Sequence, residues 1–447
     1  MLINARRTAA RFLDIVVLIA VFGASATLAG PADEVSVTTL PNGMKVIVRE
    51  GHAINLVAVD VWIRAGSVNE TDATSGVSHF VEHMIFKATS KYGPGEMDRQ
   101  IEGVGAELNG GTSRDWAHFY TTVASEYLPT ALDVLANAVT NPQFKAEEIE
   151  KERRIILDEI ARSDGNSSQH VFNLFSQAAF SVHPYRFPPT GMRESIARLT
   201  RDDLVTYYNR YYAPGNTCVV IAGDVSKSDA VALVEKAFAG FTTASRGDSI
   251  PVPMEPPITS PRVKRFESQK DQTYLVLGYF APPASQFKEA CALDVMLAIL
   301  GDTYEGRISA ALNAKGIQFG AINTDFISQR YPTTFSTLVS VAPKDADAVV
   351  SILLAEYSRL GSEPVSDAEF QLAKRLVEGG DLFDQETFAG QARALGLYES
   401  IASYDLALKY APMVRSLTAA DIMEVAAKCF GPINYCLARI EPASTTR

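Results

Sequence analysis

Two histidines and a glutamate stand together at His79-Phe80-Val81-Glu82-His83. At i, i+3 and i+4, all three project from one face if the segment is helical. Gly76 precedes an amphipathic run through Val77, Phe80, Val81, Met84 and Ile85 that no proline interrupts, so the spacing predicts a helix. Two imidazoles one turn apart can share a divalent cation. Neutral imidazole suits zinc, and a catalytic zinc keeps one of about four positions open. Glu82 would sit beside that position, where a carboxylate can take a proton from water. The order is the inverse of the commoner H-E-x-x-H. Histidine is scarce, six in 447 residues, which lowers the chance of a coincidental match. The alternative is a surface helix carrying two partly exposed histidines and a solvated glutamate.

A third ligand must come from another element, and residues 146–160 are rich in carboxylates. Ile149, Glu152, Ile156, Glu159 and Ile160 fall on one helical stripe. Glu152 and Glu159 therefore share the apolar face, where a carboxylate is costly unless paired or bound to a cation. Glu147, Glu148 and Glu150 are expected in solvent.

The elements that must position these groups follow from local patterns. Residues 35–40 and 44–49 flank Asn42-Gly43, a hairpin signal. Residues 56–64 alternate as a strand, 97–104 read as helix, 106–111 as a break and 116–124 as an aromatic-rich strand. Helices are expected over 127–139, 145–162 and 200–211, and a strand over 217–222. Five prolines between 245 and 262 mark a stiff linker. Beyond it the order repeats, with strands at 273–280, 333–341 and 435–440 and helices at 288–300, 308–313 and 345–360. A Ser366-x-x-Glu369 capping box opens another helix. This predicts an α+β chain of two homologous domains, each a mainly antiparallel sheet faced by helices. The proposed division is 1–29, 30–244, 245–262 and 263–447. The last of these holds no histidine, so a doubled fold would not double the metal chemistry.

Composition is ordinary for a globular protein, 47% hydrophobic and 21% charged. Arg6, Arg7 and Arg11 precede a short apolar run and small residues up to Ala29, the pattern of a cleaved signal peptide. The expected address is periplasmic or secreted, with no stable membrane insertion after cleavage. The net charge of −11 and the lack of a basic run argue against nucleic acid as a partner. Cys218, Cys291, Cys429 and Cys436 form no C-x-x-C and read as free thiols.

His79-x-x-Glu82-His83 followed by Glu159 resembles the pitrilysin family of zinc peptidases, the inverzincins. Asn109-Gly110-Gly111-Thr112-Ser113-Arg114-Asp115, His183-Pro184-Tyr185, Tyr212-Ala213-Pro214-Gly215-Asn216 and Gly223-Asp224 resemble further landmarks of that family in the expected order. The resemblance runs from about residue 35 to near the C-terminus. It implies one zinc per chain on His79, His83 and Glu159, with Glu82 as general base and Glu152 holding a ligand histidine. It also implies that Asn109, Gly110, Gly111 and Thr112, with the strand after them, bind an extended peptide substrate by β-augmentation. The chain's length resembles the metal-bearing subunit of two-chain members of the mitochondrial-processing-peptidase type.

One departure matters. Catalytic members carry an arginine and a tyrosine in the second half, where such groups position substrate and stabilise an oxyanion. The matching stretch here runs from Leu312 to Phe319, with Asn313 in place of the arginine and Phe319 in place of the tyrosine. Neither can supply the missing cation or hydroxyl. The resemblance then implies a homologous partner subunit, a heterodimer rather than a homodimer, closing with this chain into a clam-like chamber. The rival expectations are a non-catalytic scaffolding or peptide-binding subunit of the same fold, and a metal storage or transport protein.

Overall fold

The computed structural model describes residues 35–242, 251–301 and 306–443. The signal-like segment lies outside the described residues. The first half runs β1 (Val35–Thr39), β2 (Lys45–Glu50), β3 (Leu56–Ile63), α1 (Val77–Ile85), α2 (Glu96–Glu102), β4 (Asn109–Thr112) and β5 (Ala117–Ala124). It continues through α3 (Leu128–Thr140), α4 (Ala146–Gly165), α5 (Ser167–Ala179), α6 (Arg193–Ile196), α7 (Arg201–Tyr211), β6 (Thr217–Gly223) and α8 (Lys227–Ala237). The second half runs β7 (Arg262–Ser268), β8 (Thr273–Ala281), α9 (Phe287–Leu300), α10 (Arg307–Ala314), β9 (Phe319–Phe326) and β10 (Thr333–Val341). It closes with α11 (Ala346–Ser362), α12 (Asp367–Asp384), α13 (Phe388–Ile401), α14 (Asp405–Ser416), α15 (Ala419–Cys429) and β11 (Tyr435–Pro442).

The first sheet has strand order β1-β2-β6-β3-β5-β4 and the second β7-β11-β8-β10-β9. Without β1, the two orders are the same when strands are numbered within each half. Each sheet contains one parallel pair, β2 with β6 and β7 with β11, among otherwise antiparallel neighbours. The duplication expected from element order is therefore a duplication of topology.

Each sheet buries one face under its own helices. Val59, Val61 and Phe119 meet Phe80, Val81 and Leu135 in the first half, and Leu277 and Val339 meet Met296 and Leu353 in the second. The other face is covered by a helix lent from the opposite half. Ala392 and Leu395 of α13 pack on Ala58, Trp62 and Val220, while Val171, Phe175 and Ala179 of α5 pack on Val276, Ala438 and Ile440. The crossing of α13 is close: a Cβ at Gly396 would overlap the Trp62 indole. Glu399 of α13 locks it by accepting from Lys45 Nζ at 2.5 Å and from Arg64. A strand pattern cannot reveal which distant helix will cover its outer face, and these exchanges were not visible in the sequence.

Three expectations need adjustment. Residues 106–111 do not simply break the chain, because Asn109–Thr112 is a strand held by pairing with β5, despite two glycines that favour irregular backbone. The described part of the proline-rich linker is anchored: Glu255 accepts from the N–H groups of Ser181, Val182 and His183 and from Arg262. At α12, Ser366 accepts from the Glu369 N–H, but Glu369 turns to Arg307 instead of completing a capping box. Cys218, Cys291 and Cys436 are buried and Cys429 half-buried, all four free thiols. No helix among the described residues is long and apolar enough to cross a membrane.

Candidate metal centre

Helix α1 buries Val77, Phe80, Val81, Met84 and Ile85 against the first sheet and α7. That burial turns His79, Glu82 and His83 toward α4, which packs alongside. Helix α4 buries Ile149, Glu152, Ile156 and Ile160, so Glu152 and Glu159 lie on the stripe that meets α1. Arg153 fixes this approach. Its guanidinium stacks over Phe80 at 5.4 Å and donates to the carbonyls of Ile196 and Leu199.

His79 Nε2 and His83 Nε2 lie 3.2 Å apart, and each is 3.8 Å from Glu159 Oε2. Four ligands around zinc at 2.0–2.1 Å sit about 3.3 Å from one another, so this triangle has the size a tetrahedral ion requires. Among the described residues, this is the group of His, Cys, Asp or Glu side chains that could hold a metal, its ligand atoms all within 4.8 Å of one another. Glu82 Oε2 is 3.9 Å from His79 Nε2 and accepts from the Thr112 hydroxyl at 3.1 Å. The site is open on one side, since Glu159 retains 30% of its side-chain exposure while both histidines are largely covered.

The two imidazoles shift in opposite directions: burial lowers His79, while Glu152, Glu82 and Glu159 outweigh burial and raise His83. Burial, then the charge of His83, lowers the His79 pKa to about 3, so its imidazole is neutral and a lone pair is available. Burial pushes the Glu82 carboxyl up against the pull of His83 and Thr112. His83 Nδ1 meets Glu152 Oε2 at 2.9 Å, and Glu152 Oε1 accepts from Lys87 at 2.8 Å. Burial opposes ionisation of Glu152, but His83 and Lys87 together hold its pKa below the ordinary value. Arg153, next in sequence, turns away from Glu152 and pairs with Glu150. Glu148, expected in solvent, is buried beside Lys151, because it lies one turn from Glu152 on the same flank.

Asn109, Gly110, Gly111 and Thr112 form the edge strand β4 next to this site. Thr112 reaches Glu82, a contact the sequence did not foretell. Gly110 faces Phe86 and Phe119, and Gly111 faces His118 on the other side. Asn313 is exposed at the end of α10, and Phe319 opens β9 half-buried. Lys87 was missed although it stands one turn after His83, which was a usable signal. Glu70 was missed with no signal to single it out. Its carboxylate accepts from the N–H groups of Gly76 and Ser78 at the start of α1.

Residues 45–189 match the family model described as insulinase, peptidase family M16, and residues 198–377 match that described as the peptidase M16 inactive domain. An uncharacterized zinc protease of Mycobacterium leprae is 28% identical over 81% of each chain. A probable mitochondrial-processing peptidase subunit beta of Arabidopsis thaliana is 27% identical over 88% of this chain and 75% of its own. A crystal structure of a protease from Helicobacter pylori superposes with a TM-score of 0.87 at 23% identity, covering 91% of this chain and 99% of the other. The chain belongs to peptidase family M16, the insulinase or pitrilysin family of zinc peptidases.

Proposed function

We propose that the protein is a zinc-dependent endopeptidase subunit that hydrolyses short or unfolded peptides. The observation that carries this reading is the triangle of His79, His83 and Glu159 with Glu82 at its side. A zinc ion held by these three residues, one per chain, would supply Lewis-acid polarisation of the scissile carbonyl and of the attacking water. Glu82, with its pKa raised by burial, would take the proton from that water and return it to the leaving amine. Thr112 orients Glu82 by its hydrogen bond, and Glu152 with Lys87 keeps His83 in the rotamer and tautomer that direct Nε2 inward. The free edge of β4 would accept an extended peptide strand beside the base.

Asn313 and Phe319 stand where an arginine and a tyrosine are expected and can supply neither the cation nor the hydroxyl, which supports dependence on a homologous partner in a clam-like heterodimer. The N-terminal pattern supports export, with action in the periplasm or outside the cell. A second reading, a non-catalytic scaffolding or peptide-binding subunit, is favoured by the description of the model matching residues 198–377 as an inactive domain. That match begins at residue 198, after His79, Glu82, His83 and Glu159, so it does not bear on the group that would hold the ion. The test is peptide cleavage by the purified chain with and without the protein that co-purifies from the native host. Cleavage that rises on adding the partner supports the first reading. A complex that holds zinc and cleaves no peptide supports the second.

A further inference from the structure

Helix α1 is nine residues long, and His79 lies in its first turn. The first N–H groups of a helix have no partners within it. At the N-cap stands Gly76, which has no side chain to accept them. Its φ of +92° and the Gly191 Cα, 2.8 Å from where a Cβ would stand, exclude a capping serine or aspartate at that position. The donors turn to a carboxylate from outside the helix. Glu70 Oε2 accepts from the Gly76 N–H at 2.7 Å, and Oε1 accepts from the Ser78 N–H at 3.0 Å and from the Ser78 hydroxyl. Glu70 is 3% exposed. From the other side, the Ser195 hydroxyl donates to the Ser75 carbonyl at 2.6 Å, and Ile196 closes over Gly76.

The two ligand histidines are held differently. His83 is fixed through its own side chain by Glu152. His79 Nδ1 is buried with no hydrogen-bond partner among the described residues. The direction of His79 therefore depends on the backbone of the first turn, and Ser78, the residue before it, is what Glu70 grips. We infer that Glu70 is a positioning residue for the metal site, clamping the first turn of α1 so that His79 Nε2 stays within reach of the ion that His83 and Glu159 share. This inference rests on the reading of those three residues as zinc ligands.

The test uses the full chain and needs no hydrolysis. Zinc affinity is measured by competition with a chromophoric chelator, and site geometry by the visible absorption of the cobalt-substituted protein. Glu70→Ala should weaken zinc ten- to a hundredfold and shift the cobalt bands. Glu70→Gln, which keeps one acceptor oxygen, should weaken zinc by a smaller factor, and it carries the test if the alanine variant does not fold. Glu399→Gln controls for general loss of packing: it removes a buried carboxylate that ties α13 to the first sheet. It should lower the melting temperature while leaving zinc affinity and the cobalt spectrum unchanged. Glu70 variants that fold and bind zinc like the parent, or a Glu399→Gln protein that loses zinc equally, would overturn the inference while leaving the metal site standing. A parent chain that binds no zinc would sink both.

Discussion

Glu152 Oε2 stands 2.9 Å from His83 Nδ1, and its other oxygen is held 2.8 Å from Lys87. The three residues form a relay that fixes one imidazole from behind while its Nε2 faces His79 and Glu159. Such outer partners commonly contribute ten- to a hundredfold in metal affinity. Glu152→Gln can satisfy only one of its two neighbours through its remaining oxygen. Zinc affinity should fall about tenfold, and Glu152→Ala should lose more, by chelator competition. Lys87→Met should give a smaller loss than either.

The exchange of helices between halves makes a separate prediction about stability. Gly396 lies against the Trp62 indole with no room for a side chain. Gly396→Leu should destabilise the protein by about 1–3 kcal/mol through overpacking, read as a lower urea midpoint. Trp62 faces away from the layer that holds α1, so zinc affinity of the folded variant should be unchanged.

Acid stability should depend on Glu255. Burial opposes its charge, but the hydroxyl of Ser181 and the N–H groups of Val182, Ser181 and His183 hold its pKa at about 2, against an ordinary 4.5. A carboxylate with a lowered folded-state pKa stabilises the fold fully above the unfolded value, and that contribution is lost as pH falls toward the folded one. Glu255→Gln should therefore cost about 2 kcal/mol at pH 7, after allowance for solvent screening. The difference from the parent should shrink between about pH 4.5 and pH 2, followed by urea unfolding across that range.

Much of the site was legible because it depends on helical periodicity. The i, i+3, i+4 spacing of His79, Glu82 and His83, and the stripe shared by Ile149, Glu152, Ile156 and Glu159, determine which side chains a helix presents together. The repeat of element order likewise anticipated two sheets of one topology. What escaped was set by tertiary contact. Asn109–Thr112 is a strand because β5 pairs with it, not because Gly110 and Gly111 favour one. Glu70 looks like any loop glutamate until α1 places its unpaired N–H groups above it. The covering of Trp62 by α13 brings together residues more than half the chain apart, and no local pattern encodes that.

The most direct test of the assignment at His79, His83 and Glu159 compares zinc content and peptide turnover of the assembled complex for three forms of this chain. The parent should hold about one zinc and cleave peptide. His79→Ala should lose both metal and activity. Glu82→Gln should keep the zinc and lose at least about a hundredfold in turnover, the contribution expected of a general base. A Glu82→Gln complex with parental turnover, or a His79→Ala chain that retains its zinc, would contradict the account.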